Sequence, residues 1–259
     1  MKYKHTILTA ATLAAFASTA TAATIFNDTF DVGATPTLGD DVDDPNDTEW
    51  TPFNGDVTSS LVDDGAPQNN VMQVANTGTF RPMITTFSDV TLENGHTLDF
   101  SFKIKATSTP TVASGGFRFH LGNGSKGYTF VANWGDGTTD GLWKAASGLS
   151  ATTKITEADG GNNFDLTGTG WHTVNATIKR VDATHVSFTF GLNGTNHVED
   201  VTVEDLTPAF TFNVLNIGNA GSQETYRLDD IVLTQAVPEP SSAALLGLGG
   251  LALMLRRRK

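Results

Sequence analysis

Strict alternation is the feature that most limits what this chain can fold into. Leu98, Phe100, Phe102 and Ile104 alternate with polar residues. The same period returns at Phe117, Phe119 and Leu121, at Val174, Ala176 and Ile178, and at Val186, Phe188, Phe190 and Leu192. Successive side chains of an extended chain point to opposite faces, so each run has one apolar and one polar face. A surface helix needs apolar residues every three or four positions, and no stretch of residues 23–236 sustains that period. Between the runs lie Leu92-Glu93-Asn94-Gly95, Gly122-Asn123-Gly124, Gly135-Asp136-Gly137 and Leu192-Asn193-Gly194. Asn-Gly and Asp-Gly supply the positive φ values of tight hairpin turns. The pattern predicts an all-β fold, an antiparallel β-sandwich.

The 259 residues contain no cysteine, which removes disulfides, thiolate catalysis and thiolate metal sites together. A sandwich of this length buries enough surface to need no staples, and it reads as one domain.

Both ends carry segments of a different character. Lys2 and Lys4, the apolar stretch Ile7–Phe16 and the small residues Ala20-Thr21-Ala22 make a signal peptide over residues 1–22, with a mature start near Ala23. The alternative, an amphipathic first helix, fits poorly with the switch to Ile25-Phe26-Asn27-Asp28. At the other end Val237-Pro238-Glu239-Pro240 is followed by an apolar run, Ala243–Leu255, and by Arg256, Arg257, Arg258 and Lys259. The prolines stop an incoming strand. The apolar run can enter hydrocarbon as a short helix, and the basic end holds the terminus on the cytoplasmic side.

Box, apolar run and basic end, in that order over residues 237–259, resemble the PEP-CTERM sorting signal of exported envelope proteins. The resemblance implies processing by an exosortase-type enzyme, transient contact with the inner membrane, and release at the cell surface or beyond. As a helix, Ala243–Leu255 would span only about 20 Å of a hydrocarbon core roughly 30 Å thick, which suits a temporary anchor.

Residues 23–236 form the delivered domain. Without the two flanking segments, 10 basic and 27 acidic residues remain, a net charge near −17 against −12 for the whole chain. Such a field repels nucleic acid and anionic lipid, so neither is an expected partner. Trp171-His172-Thr173-Val174, with Phe188–Gly194 closing at Asn-Gly, looks like a hairpin of concanavalin A-like and laminin G-like jelly rolls. Phe26–Phe30 and Tyr226–Leu233 resemble the first and last strands of such domains. The resemblance implies that these two strands lie side by side.

Chemistry-bearing motifs are few. Gly122-Asn123-Gly124-Ser125-Lys126-Gly127 has the spacing of a dinucleotide fingerprint, but strand-like segments flank it on both sides, so it reads as a hairpin loop. Laminarinase-type enzymes of the resembling clan carry a Glu-x-Asp-x-Glu string, which is absent. Glu199-Asp200 and Glu204-Asp205 are adjacent pairs that should point to opposite faces. Catalytic residues are therefore expected to be none.

Two constellations remain. Arg118 and His120 share the face opposite Phe117, Phe119 and Leu121. With Trp143, in the loop after Gly141, they are the candidate glycan-binding residues; Tyr128, Phe130 and Trp134 gain more from burial and are expected in the core. Asp229 and Asp230 stand in an apolar strand. The jelly-roll resemblance implies a structural calcium held by Asp28 with Asp229 or Asp230; plain hydrogen bonding is the alternative. Residues 39–49 form an acidic segment, either a surface loop or a calcium loop without EF-hand spacing. No cofactor is required. The expected function is non-enzymatic binding of glycan or extracellular polysaccharide by an exported jelly roll. The alternatives are a purely structural matrix protein and, with least support, a glycan-active hydrolase.

Overall fold

The computed structural model describes residues 21–30, 50–52, 57–65, 70–76, 81–107, 117–123, 126–132, 141–147, 150–156, 170–205, 208–219 and 225–238. Their strands, in chain order, are β1 (Thr21–Asp28), β2 (Thr51–Pro52), β3 (Val57–Asp63), β4 (Asn70–Asn76), β5 (Arg81–Thr91), β6 (Thr97–Ala106), β7 (Phe117–Gly122) and β8 (Gly127–Ala132). They continue with β9 (Gly141–Ser147), β10 (Ser150–Thr156), β11 (His172–Arg180), β12 (His185–Leu192), β13 (Thr195–Glu204), β14 (Thr211–Asn219) and β15 (Thr225–Val237). The described residues contain no helix.

Two antiparallel sheets result. The first runs β13-β12-β11-β6-β15-β4-β3, with β1 also paired to β15; the second runs β10-β9-β8-β7-β14-β5-β2. The first and last strands are therefore neighbours, as the jelly-roll resemblance implies. The alternating segments became β6, β7, β11 and β12. In β6 every second residue is buried from end to end. The β12–β13 hairpin turns at Asn193 and Gly194, with φ of 52° and 81°. Both lie in the left-handed region that Asn and Gly tolerate best.

Aromatic rings join the sheets. Phe100 of the first sheet lies 5.1 Å from Phe119 of the second, Phe190 5.5 Å from Phe119, and Phe188 4.8 Å from Tyr128, centroid to centroid. Phe119 and Phe130, opposed on β7 and β8, stack at 4.7 Å. Burying such a side chain stabilises the fold by about 1.5–3 kcal/mol, and good ring pairs add about 0.5–1.5 kcal/mol.

Along the chain two units separate, Ala22–Ala236 and a second made of Met1–Thr21 with Val237–Lys259. The expected signal peptide, apart from Thr21 and Ala22, lies outside the described residues. So do the acidic segment 39–49 and the apolar run Ala243–Leu255. Thr21 and Ala22 belong to β1, so cleavage before Ala23 would trim two residues from its start. Among the described residues no helix is long and apolar enough to cross a membrane.

Candidate functional site

Because Phe117, Phe119 and Leu121 turn into the aromatic core, Arg118 and His120 lie on the opposite face of the second sheet, as alternation requires. Register extends that face sideways. His120 is opposite Thr129 on β8 and Asn216 on β14. Thr129 is opposite Trp143 on β9, and Trp143 opposite Lys154 on β10. Directly opposed residues of antiparallel strands share a face. Asn216, His120 and Thr129 thus make a polar row on the side away from the core, and backbone pairing continues from Thr129 to Trp143 and Lys154. Trp143 lies in a strand, not in the loop expected from its Gly- and Ala-rich surroundings; pairing with β8 outweighs the weak local strand propensity.

The middle of this row is buried. His120 is 3% exposed and Thr129 1%. His120 Nδ1 and Thr129 Oγ1 form a hydrogen bond of 3.0 Å. The imidazole lies over the two glycines at the mouth of the hairpin. A Cβ on Gly122 would come 2.5 Å from Nε2, and one on Gly127 would come 2.5 Å from Cε1. The glycines of the formal dinucleotide fingerprint therefore make room for His120, and the segment joins β7 to β8 as a hairpin. Burial pushes the His120 pKa down to about 4, so the ring is neutral near pH 7. Arg118, half-buried, also has its pKa lowered by burial.

Asn216 was not picked out from the sequence. It is 2% exposed, and neither its amide nitrogen nor its carbonyl oxygen has a hydrogen-bond partner. Its flanking residues Leu215 and Ile217 are the signal that could have found it, an amide between two inward apolar positions.

Tyr128 and Phe130 are core residues, as energetics anticipate, while Trp134 lies outside the described residues. The Tyr128 hydroxyl donates to Asp205 Oδ2 at 3.1 Å and accepts from the Ala209 amide at 3.3 Å. Burial, with the Asp205 charge behind it, drives the Tyr128 pKa upward. Of the two adjacent acidic pairs, Glu199, Asp200 and Glu204 are exposed, and Asp205 is buried against Tyr128.

The three aspartates considered for calcium divide. Asp28 is 4% exposed; its Oδ2 accepts from Trp50 Nε1 at 2.6 Å and its Oδ1 from the Phe30 amide at 3.2 Å. Asp229, 5% exposed, accepts from the Asp230 amide at 2.8 Å. Asp229 is opposite Lys103 and Val232 opposite Ser101, so β15 carries one extra residue there, and Asp230 takes a φ of 48°. The paired aspartates thus mark a β-bulge. Asp230 forms an ion pair with Lys103. All three carboxyls thus have partners within the protein: Asp28 on both oxygens, Asp229 from the next amide and Asp230 from Lys103. Among the described residues no group of three or more His, Asp or Glu side chains stands together.

A further polar network occupies the first sheet. Trp171 Nε1 donates to Asp64 Oδ2 at 2.9 Å, Lys105 Nζ lies 3.2 Å from Asp64 Oδ1, and Arg227 forms an ion pair with the same oxygen. Burial raises the Asp64 pKa, but the hydrogen bonds from Trp171, Arg227 and Lys105 outweigh it, and the carboxyl titrates below its usual range. The network ties β3, β6, β15 and the start of β11 together.

Among known protein families, the PEP-CTERM protein-sorting motif matches residues 236–259. The chain carries a PEP-CTERM sorting signal. This agrees with the identification of Val237, Pro238, Glu239, Pro240 and the Arg256–Arg258 end, and it implies export to the cell surface or the extracellular space. Val237 ends β15 and is exposed, so the PEP-CTERM box starts where the last strand stops. No curated protein sequence matches the chain. Solved structures similar to it include the cellulose-induced protein Cip1, at 15% identity and a TM-score of 0.48, covering 80% of this chain and 95% of that one. An endo-1,3-β-glucanase from Streptomyces sioyaensis is 15% identical, with a TM-score of 0.45 and coverage of 87% and 100%. Lectin II from Ulex europaeus is 14% identical, with a TM-score of 0.40 and coverage of 72% and 95%.

Proposed function

We propose that this is an exported, exosortase-processed surface or matrix protein whose β-sandwich binds extracellular polysaccharide without acting on it. The observation that carries this reading is the polar row on the second sheet, where Asn216, His120 and Thr129 are buried on the face turned away from the core. Sugar hydroxyls need polar partners on such a face, and a sugar ring needs an aromatic side chain to stack on. Arg118, half-buried on that face, and Trp143, one strand beyond Thr129, are the residues that meet the ligand, while His120, buried and bonded to Thr129, supports the face.

Chemistry is not part of the role. Asp205, the buried member of the acidic pairs, is held by Tyr128, and the other three carboxyls are exposed on an edge strand. Calcium, held by Asp28 and Asp229, would stabilise the junction of β1 with β15 and take no part in binding sugar. The tail contacts the inner membrane only until it is cut.

Affinity electrophoresis through gels containing polysaccharide tests the site. Trp143→Ala should run unretarded where the parent is retarded, with unchanged melting. Unfolding of that variant would make Trp143 a core residue and remove it from the site.

A further inference from the structure

We propose that β3 is a docking edge for a second copy of this chain: two β3 strands pair antiparallel around a two-fold axis at Ser60, and the first sheet continues from one molecule into the other.

A strand at the end of a sheet presents unpaired N–H and C=O groups along its free side, and another extended chain can take them up unless something prevents it. The path of the first sheet ends in β13 and β3, that of the second in β10 and β2. Three of these four ends are blocked. β13 loses register with β12 around Phe190, takes a φ of 45° at Asp200, and exposes Glu199, Asp200 and Glu204. β10 loses register with β9 at three places and carries Lys154. β2 has two residues, one of them Pro52. Irregular register, charge, proline and shortness are the means by which sheet ends avoid one another. β3 has none of them. Its register with β4 is unbroken from Val57 opposite Asn76 to Asp63 opposite Asn70, and the one charge in Val57–Asp63 is Asp63, at the end.

The sequence of β3 suits its own reverse. Opposed residues of an antiparallel pair share a face. With the axis at Ser60, Thr58 meets Val62, Ser59 meets Leu61 and Val57 meets Asp63, while Ser60 meets its copy. No like charges face each other, in a chain whose net charge of −12 otherwise keeps copies apart. Thr58 and Ser60 are exposed and Leu61 and Val62 half-buried, so the pairing also covers apolar surface. Because the same strand serves both partners, the contact closes as a dimer and does not grow into a filament. A two-fold axis normal to the sheet leaves the outer faces of both second sheets pointing the same way, so one polymer can be held at two points. The dimer itself does not depend on what that face binds.

The chain has no cysteine, so introduced thiols report the contact directly. In the full-length protein in mild detergent, Ser60→Cys should give a disulfide-linked dimer on air oxidation, because opposed Cα atoms in such a pair lie about 4.5–5.5 Å apart, within disulfide reach. Thr58→Cys alone should not, since its copy lies roughly 13 Å away along the strands, whereas Thr58→Cys combined with Val62→Cys should. Sedimentation of the parent should show a dimer. Ser60→Lys, at an exposed site, should melt like the parent and dissociate at least about tenfold more readily, as two ammonium groups meet on the axis. A monomeric parent overturns the inference. So does a dimer that Ser60→Lys leaves intact, because the copies would then meet elsewhere, the apolar tail included. Crosslinking of Thr58→Cys alone as readily as Ser60→Cys overturns the pairing at Ser60.

Discussion

His120 Nδ1 stands 3.0 Å from Thr129 Oγ1 on the side of the second sheet that faces away from the aromatic core, and both residues are buried. A histidine held neutral in this way links stability to pH. Its ordinary pKa of 6.5 applies in the unfolded chain, and burial lowers it to about 4 in the folded one. Between these values the unfolded chain takes up a proton that the folded protein refuses. Stability therefore falls as pH drops from about 6.5 to about 4 and levels off below that, a total loss of about 3 kcal/mol at 1.4 kcal/mol per pKa unit. Urea unfolding across this range should show the slope, and His120→Asn should flatten it. An equal slope in the variant would mean that another group is responsible. Asp64, whose carboxyl the hydrogen bonds from Trp171, Arg227 and Lys105 hold below its usual range, should contribute only at still lower pH.

Tyr128 and Asp205 make a second, purely structural prediction. Tyr128→Phe keeps the ring against Phe188 and removes the hydroxyl that donates to Asp205 and accepts from Ala209. Leaving buried polar partners unsatisfied should lower stability by about 1–3 kcal/mol. Glycan binding should not change, because Tyr128 faces the core. Denaturant titration checks the first statement and a binding assay the second.

Calcium is expected to act on stability alone. If Asp28 and Asp229 hold it, a hundredfold excess over its dissociation constant adds about 2.7 kcal/mol to the folded state. Melting should then rise by several degrees in calcium and fall in chelator, and Asp229→Asn should abolish the difference. Superimposable curves for the parent would leave both aspartates to their hydrogen bonds with Trp50, Phe30 and Asp230.

What was legible in the sequence depended on unbroken alternation within a strand. β6, β7, β11 and β12 keep the period of two throughout, so their inward residues could be named before any coordinates. β14 does not. Phe212 is opposite Val90 and Val214 opposite Thr86, an irregular register that leaves Phe212 and Leu215, three positions apart, both buried. Alternation over the whole strand therefore fails, and Asn216 shows only locally, as an amide between Leu215 and Ile217. The burial of His120 was equally unreadable, since it depends on Gly122 and Gly127 lying under the imidazole across a hairpin. Asp229-Asp230 read as charge in an apolar strand, whereas one extra residue in β15 explains the pair.

The sorting tail gives a prediction about processing. Ala236 is still opposite Thr97 in β6, so an extended peptidase substrate that includes it must open the end of β15 first. A short Gly-Ser insert between Ala236 and Val237 should therefore speed removal of the tail in cells. Mass spectrometry of the mature parent should find residues 256–259 absent. Their retention would make the protein a stably anchored one.

The proposed ligand of the outer face of the second sheet is an extracellular polysaccharide. A glycan array probed with the parent protein beside Trp143→Ala tests this most directly. The expected result is signal on glycans for the parent and loss of that signal in the variant, with both proteins folded. A parent that binds no glycan on the array would contradict it.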